Sequence, residues 1–204
     1  MAPTTSPNEG MHGRMLRMGL IGLGGIGRYH LTRYPSVPDA RVVAVADLRA
    51  EELRHDEALG ALFEVPAAQI RWHTSYRDLI ASGQVDAVDI CLPTYLHREA
   101  TVAALEGGLH VLCEKPMALT LEDCDAMLAA AEPTGRLLMI AHCVRFWPEY
   151  RYLVDTFRGG EAGRLLALQF VRQGRRPAGS NAGWMADARR TAAPHYDGPV
   201  AEVS

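Results

Sequence analysis

The sequence predicts an α/β fold: a doubly wound parallel sheet with helices on both faces, leading into the start of a second region. Three observations carry this expectation. Six short apolar runs alternate with helical segments up to about residue 142. Several of those runs are continuous rather than alternating, as strands buried on both faces require. A crowd of glycines, "GLIGLGGIGRYH" from Gly19 to His30, separates the first run from the first helix.

The elements follow in order. "RMGLIGLG" (17–24) reads as the first strand, and "IGRYHLTRY" (26–34) as a helix that ends near Pro35 and Pro38. "ARVVAVAD" (40–47) is β-branched and continuous, a second strand. "AEELRHDEALGALF" (50–63) has helical spacing, with leucines at 53, 59 and 62. "IRWHT" is a short strand, "SYRDLIAS" a short helix, and "VDAVDICLP" (85–93) a fourth strand. "YLHREATVAALEGG" is a helix with a glycine stop, and "LHVLCEKP" (109–116) a fifth strand. In "TLEDCDAMLAAAEPTG", Thr120 and Asp123 have the spacing of a capping box. "RLLMIAH" closes the series, and strands alternating with helices in this way specify a doubly wound parallel sheet.

The rhythm changes after Cys143. "PEYRYLVDTFRGG" reads as a helix and "GRLLALQFVRQG" (163–174) as a strand. The rest, to Ser204, is rich in Gly, Ala, Pro and Arg without a period. The expected organisation is a flexible lead-in over 1–15, one sheet domain over 16–143, and an incomplete second domain over 144–204.

Composition excludes several functions. The 204 residues are 48% hydrophobic and 22% charged, with a formal net charge of -3. That balance leaves no basic face for nucleic acid. The stretches Arg172–Arg176 and Ala188–Arg190 are short enough to be solvated loops. No apolar run approaches the roughly 20 residues of a membrane helix, and residues 1–15 hold no apolar core of a secretory signal. Cys91, Cys113, Cys124 and Cys143 show neither disulfide nor zinc spacing, so no metal site is expected and a reducing cytoplasm fits best.

Gly22, Gly24 and Gly27 form G-x-G-x-x-G. The triplet follows a strand, opens a helix, and precedes Asp47, an acid at the end of the second strand. These are the conditions of a dinucleotide fingerprint, and so of a Rossmann-type sheet. Gly22 permits the tight turn, a side chain at Gly24 would block a pyrophosphate, and Gly27 lets helix and sheet approach. The backbone of Gly22, Gly24, Gly25, Ile26 and Gly27 would then meet the phosphates at a helix N-terminus. Asp47 would accept the adenosine ribose hydroxyls and repel a 2′-phosphate, which favours NAD over NADP, although Arg49 lies near enough to reach for such a phosphate.

Three further stretches fall at the carboxyl ends of strands, where ligands bind in such sheets: "LPTYLH" (92–97), "CEKPMALT" (113–120) and "AHCVRFWPEY" (141–150). Together with the glycine loop and "GGEAG", the "PT-x-x-H" turn, the "EKP" signature and "RF-x-P-x-Y" resemble the glucose–fructose oxidoreductase and inositol dehydrogenase family (Gfo/Idh/MocA). The match runs from about Arg17 to Gly163.

The resemblance implies an NAD(P)-dependent oxidoreductase with a second α/β domain built on an open, mainly antiparallel sheet. Its substrates would be sugars, polyols or inositols, and the full-length protein would be a homo-oligomer. Lys115 matches the family's active-site lysine, with Glu114 holding its turn. His97 and Arg145 become candidate lining residues, and Pro93 and Thr94 shape the loop by the nicotinamide. The family's acid, four residues before a histidine, falls in the second domain. "DGPVAEVS" resembles the approach to that motif, with Glu202 as the acid and the histidine just past Ser204. His195 reads as a solvent-exposed loop residue. A truncated enzyme with weak or no turnover is therefore expected. A non-enzymatic NAD-binding sensor, or an enzyme acting on an imine or a tetrapyrrole, stands as the alternative.

Overall fold

The computed structural model describes residues 14–160, 162–169, 171, 187 and 190. Six parallel strands lie in the order β3-β2-β1-β4-β5-β6. They are β1 (Leu16–Ile21), β2 (Ala40–Ala46), β3 (Arg71–His73), β4 (Ala87–Ile90), β5 (His110–Cys113) and β6 (Leu138–Ile140). Connecting them are α1 (Gly25–Leu31), α2 (Ala50–Leu53), α3 (Glu57–Gly60), α4 (Tyr76–Ala81), α5 (His97–Glu106) and α6 (Leu121–Thr134), with α7 (Pro148–Arg158) following. The chain steps outward from β1 to β3, then crosses to β4 and steps outward the other way. The gap between β1 and β4 is thus a topological switch point, open at the strands' carboxyl ends.

The central strands β1 and β4 are buried on both faces, and the period of two sorts the core into halves. Met18 and Leu20 of β1 pack with Leu31, Leu53, Leu59 and Phe63. Ile21, on the opposite face, joins the cluster of Leu79, Leu105 and Met127. So α1, α2 and α3 cover one face, and α4, α5 and α6 the other. Gly19 makes room for this: a Cβ there would sit 2.7 Å from the Leu79 side chain.

Two elements differ from the sequence-based expectation. The segment 50–63 is two short helices rather than one, because Asp56 leaves the helix and caps the next, its carboxylate accepting from the Leu59 N–H at 3.0 Å. An aspartate is worth more as an N-cap than inside a helix. The leucine spacing still served, since Leu53 and Leu59 are buried either way. The second difference is Leu165–Gln169, expected to be strand, which pairs with no strand among the described residues. Strand structure exists only as a ladder, and Leu166 is 79% exposed here. Thr120 does cap α6, accepting from the Asp123 N–H at 3.1 Å. No helix of the described residues is long and apolar enough to cross a membrane.

Replacing Leu79, whose side chain is fully buried, with alanine is expected to cost about 2–5 kcal/mol of stability, with a cavity left between α4 and the sheet. The same change at the exposed Leu128 should stay within about 0.5 kcal/mol. Denaturant midpoints of the two variants check this.

Candidate active site

At the switch point the glycine loop is packed against β1, β4 and α1, and two of its glycines have a steric reason to be there. Gly22 has φ +92°, and a Cβ on it would come within 2.8 Å of the Cys91 carbonyl oxygen. A Cβ on Gly27 would lie 2.0 Å from the Gly22 carbonyl oxygen, so only glycine lets α1 start under the loop. Gly24 differs: nothing lies within 4 Å of where its Cβ would be. It precedes α1 without a side-chain cap, and the first turn holds no acid. The open space at Gly24 fits a pyrophosphate, and uncapped N–H groups at a helix start are the donors one needs.

Asp47, just past β2, closes the loop from the other side. Its Oδ2 accepts the Leu23 N–H at 2.8 Å and its Oδ1 the Arg49 N–H at 2.9 Å. The Arg49 side chain rests 3.9 Å from the same carboxylate. The acid therefore shapes the glycine loop as well as facing the space beside it.

The expected downstream residues gather at the next strand ends. Pro93 and the buried Thr94 begin the short 3-10 turn after β4. Glu114 and Lys115 follow β5, and the Lys115–Pro116 peptide is cis. Arg145 sits exposed in the 3-10 turn Cys143–Phe146 after β6. His97 is placed differently from its expected lining position. It is 1% exposed, with Nδ1 2.8 Å from the Pro116 carbonyl oxygen and Nε2 2.8 Å from that of Leu92. Both ring nitrogens staple the two turns together, and neither is left for a ligand. Glu202 and His195 lie outside the described residues.

Sequence reasoning missed the group at the centre. Asp89, 1% exposed on β4, faces His30 of α1, whose Nδ1 donates to its two oxygens at 3.0 and 3.2 Å. The Tyr34 hydroxyl donates to Asp89 at 3.0 Å. On its other side the His30 Nε2 donates to Glu114 Oε1 at 3.1 Å, and Glu114 Oε2 accepts the Lys115 N–H at 2.9 Å. The signal was present: Asp89 is the charged residue in the middle of an otherwise apolar strand, and Lys115 is the one lysine of the whole chain.

Burial opposes a charge on His30, but hydrogen bonds with Asp89, Cys91 and Glu114 outweigh it and push its pKa up to about 12. Burial would likewise raise Glu114, yet His30 and the Lys115 N–H hold it below its ordinary value. Burial raises the Cys91 thiol to about 12 against the pull of His30, and it raises Tyr34 too. His30, Asp89 and Cys91 bring donor atoms within 4.8 Å of one another, a set able to hold a metal. The separations of 3.0 and 3.2 Å between His30 Nδ1 and the Asp89 oxygens are those of hydrogen bonds. The cluster is an imidazolium shared by two carboxylates.

A family model described as "Oxidoreductase family, NAD-binding Rossmann fold" matches residues 16–142. The 1,5-anhydro-D-fructose reductase of Ensifer adhaerens is 35% identical over 155 residues, 76% of this chain and 44% of that protein. The inositol 2-dehydrogenase of Klebsiella pneumoniae subsp. pneumoniae is 35% identical over 156 residues, with the same coverage of 76% and 44%. A solved structure of a levoglucosan dehydrogenase in complex with NADH and levoglucosan superposes with a TM-score of 0.65 at 29% identity, over 74% of this chain and 41% of that one. The chain thus spans less than half the length of each of these three proteins.

The charged cluster leaves a mark on stability. His30 has a raised pKa in the fold, so its contribution is complete below its ordinary 6.5 and declines as pH rises toward about 12. Glu114, lowered from 4.5, contributes above that value and loses its share as pH falls through the folded pKa. The stability difference between the wild type and His30→Gln is therefore expected to be largest at about pH 5–6 and to shrink by pH 9. Urea unfolding of both proteins across that range checks the sign.

Proposed function

The chain belongs to the oxidoreductase family with an NAD-binding Rossmann fold, and on that premise we propose that it binds NAD at the glycine loop and works on a sugar, polyol or inositol-like substrate. The reaction is hydride transfer to or from a hydroxyl or carbonyl carbon of that substrate. The observation that carries the reading is the open space at Gly24, set at the switch point between Asp47 and the turn that bears Lys115. The nicotinamide, when bound, supplies the hydride acceptor or donor.

The chain's own residues do the rest. N–H groups of Gly25, Ile26 and Gly27 at the start of α1 hold the pyrophosphate. A carboxylate has about four acceptor sites, and Asp47 uses two of them on Leu23 and Arg49. Two remain for the vicinal hydroxyls of an adenosine ribose. A 2′-phosphate would instead meet like charge, and Arg49 already lies against Asp47, so NAD is favoured over NADP. Lys115 binds the reacting oxygen and favours its negative charge as the proton leaves. Pro93 and Thr94 shape the wall by the nicotinamide, and Arg145 lines the same edge.

In this reading residues 16–143 form the cofactor domain and 144–204 begin the substrate domain, with Glu202 as its acid. The exposed Leu165, Leu166 and Leu168 fit a sheet that other strands complete, and such a sheet is where subunits would meet. We expect the 204-residue chain to bind NADH while turning over polyols weakly or not at all; robust turnover by the purified chain would contradict that.

A fluorescence titration with NADH tests the site. Gly24→Ala has room for its methyl, so it should keep its melting temperature within about 2 °C and lose at least about tenfold in NADH affinity. Gly27→Ala, which overlaps a backbone carbonyl, should fail to fold stably. NADPH should bind the wild type about tenfold more weakly than NADH. A Gly24→Ala variant that binds NADH like the wild type would sink the assignment.

A further inference from the structure

We propose that His30 is a positioning residue for Lys115, linking the nucleotide-binding helix to the turn that carries the reactive amine. The inference rests on the reading of Lys115 as the group that meets the substrate oxygen.

The connection is continuous. Lys115 donates its backbone N–H to Glu114 Oε2 at 2.9 Å, and Glu114 Oε1 accepts from His30 Nε2 at 3.1 Å. His30 Nδ1 reaches the buried Asp89 at 3.0 Å, and Tyr34 fixes Asp89 from behind at 3.0 Å. Glu114 thus has one oxygen on His30 and the other on Lys115, so the rotation of its carboxylate is set by the imidazolium. Asp89 belongs to β4, one of the two strands flanking the switch point, which makes the far end of the chain of contacts rigid.

His30 itself rides on α1, and Gly24, Gly25 and Gly27 stand at the other end of that short helix. A shift of α1 on meeting a phosphate is carried by the ring to Glu114 and on to Lys115. The ring is suited to this because a charged imidazole has two donors on opposite edges and meets two carboxylates at once. A glutamine at position 30 offers one amide NH₂ to one carboxylate and turns an oxygen toward the other. Asp89 and Glu114 would then face each other without the cation between them, and Glu114 would swing away from the Lys115 N–H.

Because Lys115 is the sole lysine, growth on ¹⁵N-lysine labels one backbone amide, the one that Glu114 holds. Its exchange with water reports local opening of that bond. In the free wild-type chain the peak should lie downfield, as for an amide bonded to a carboxylate. In His30→Gln it should move upfield, and its exchange should quicken about tenfold. Asp89→Asn is an isosteric change three contacts removed from Lys115 in the relay, and it should move the same peak the same way, with exchange about threefold faster. It decides the question if His30→Gln does not fold.

An amide that keeps its position and exchange rate in a folded variant would overturn the proposal. So would a wild-type peak at the position of an unbonded amide. NADH added to the same samples separates the two claims. Failure of the wild type to bind NADH would count against the cofactor site, while the free-protein spectra still decide the role of His30.

Discussion

One steric fact governs the arrangement: the carbonyl oxygen of Gly22 occupies the place where residue 27 would carry a Cβ, 2.0 Å away. Any side chain at position 27 pushes the start of α1 away from the end of β1. With glycine there, the helix begins directly beneath the turn, and its first N–H groups stand at the gap where the sheet reverses its order. The same contact holds Gly22 at φ +92° against the Cys91 carbonyl, so β1, β4 and α1 are locked to one another at one point. The open space at Gly24 is a consequence of this crowding. Gly24, Gly25 and Ile26 are the exposed part of the loop.

The electrostatics follow from the same closeness. With α1 tight against β4, His30 comes within 3.0 Å of Asp89, a carboxylate that burial alone would penalise heavily. The imidazolium offsets that cost and, through its second nitrogen, also serves Glu114. Tyr34 and Cys91 fill the remaining corners. Two motifs far apart in sequence, the glycine loop and the Glu-Lys-Pro turn, thereby share one buried charge. His97 adds a second tie, joining the turns after β4 and β5 through two carbonyls. The turns of the site are thus tied together by two histidines, His30 and His97.

Much of the sheet was legible in the sequence because burial on both faces leaves unbroken apolar runs and glycine marks the turns. The steric roles of Gly22 and Gly27 were legible because each follows from local crowding. What was hidden is what depends on partners distant along the chain. Asp56 as a cap for α3 is a local signal that helical leucine spacing masked. Leu165–Gln169 has the composition of a strand, but composition cannot provide the neighbour that makes one. His97 and Asp47 were assigned to a ligand by motif, whereas the folded chain also gives them backbone partners. Asp89 was the plainest clue: a lone acid in a buried strand demands a partner, and the partner was already in the quoted glycine stretch.

A dehydrogenase working on a carbinol needs a group to take the hydroxyl proton, and at the open end of this sheet the carboxylates already have partners. Asp47 holds the glycine loop, Glu114 is bonded on both oxygens, and Asp89 is buried under His30. His97 has no nitrogen to offer. In the proposed reaction that leaves Lys115 to bind the oxygen, with no free carboxylate or imidazole beside it among these residues. In the proposed reading that acid–base partner is Glu202, which follows α7 in the sequence. Such a division has a physical advantage: carboxylates that already hold the loop, the turn and the strand in place do not have to change protonation for the proposed reaction.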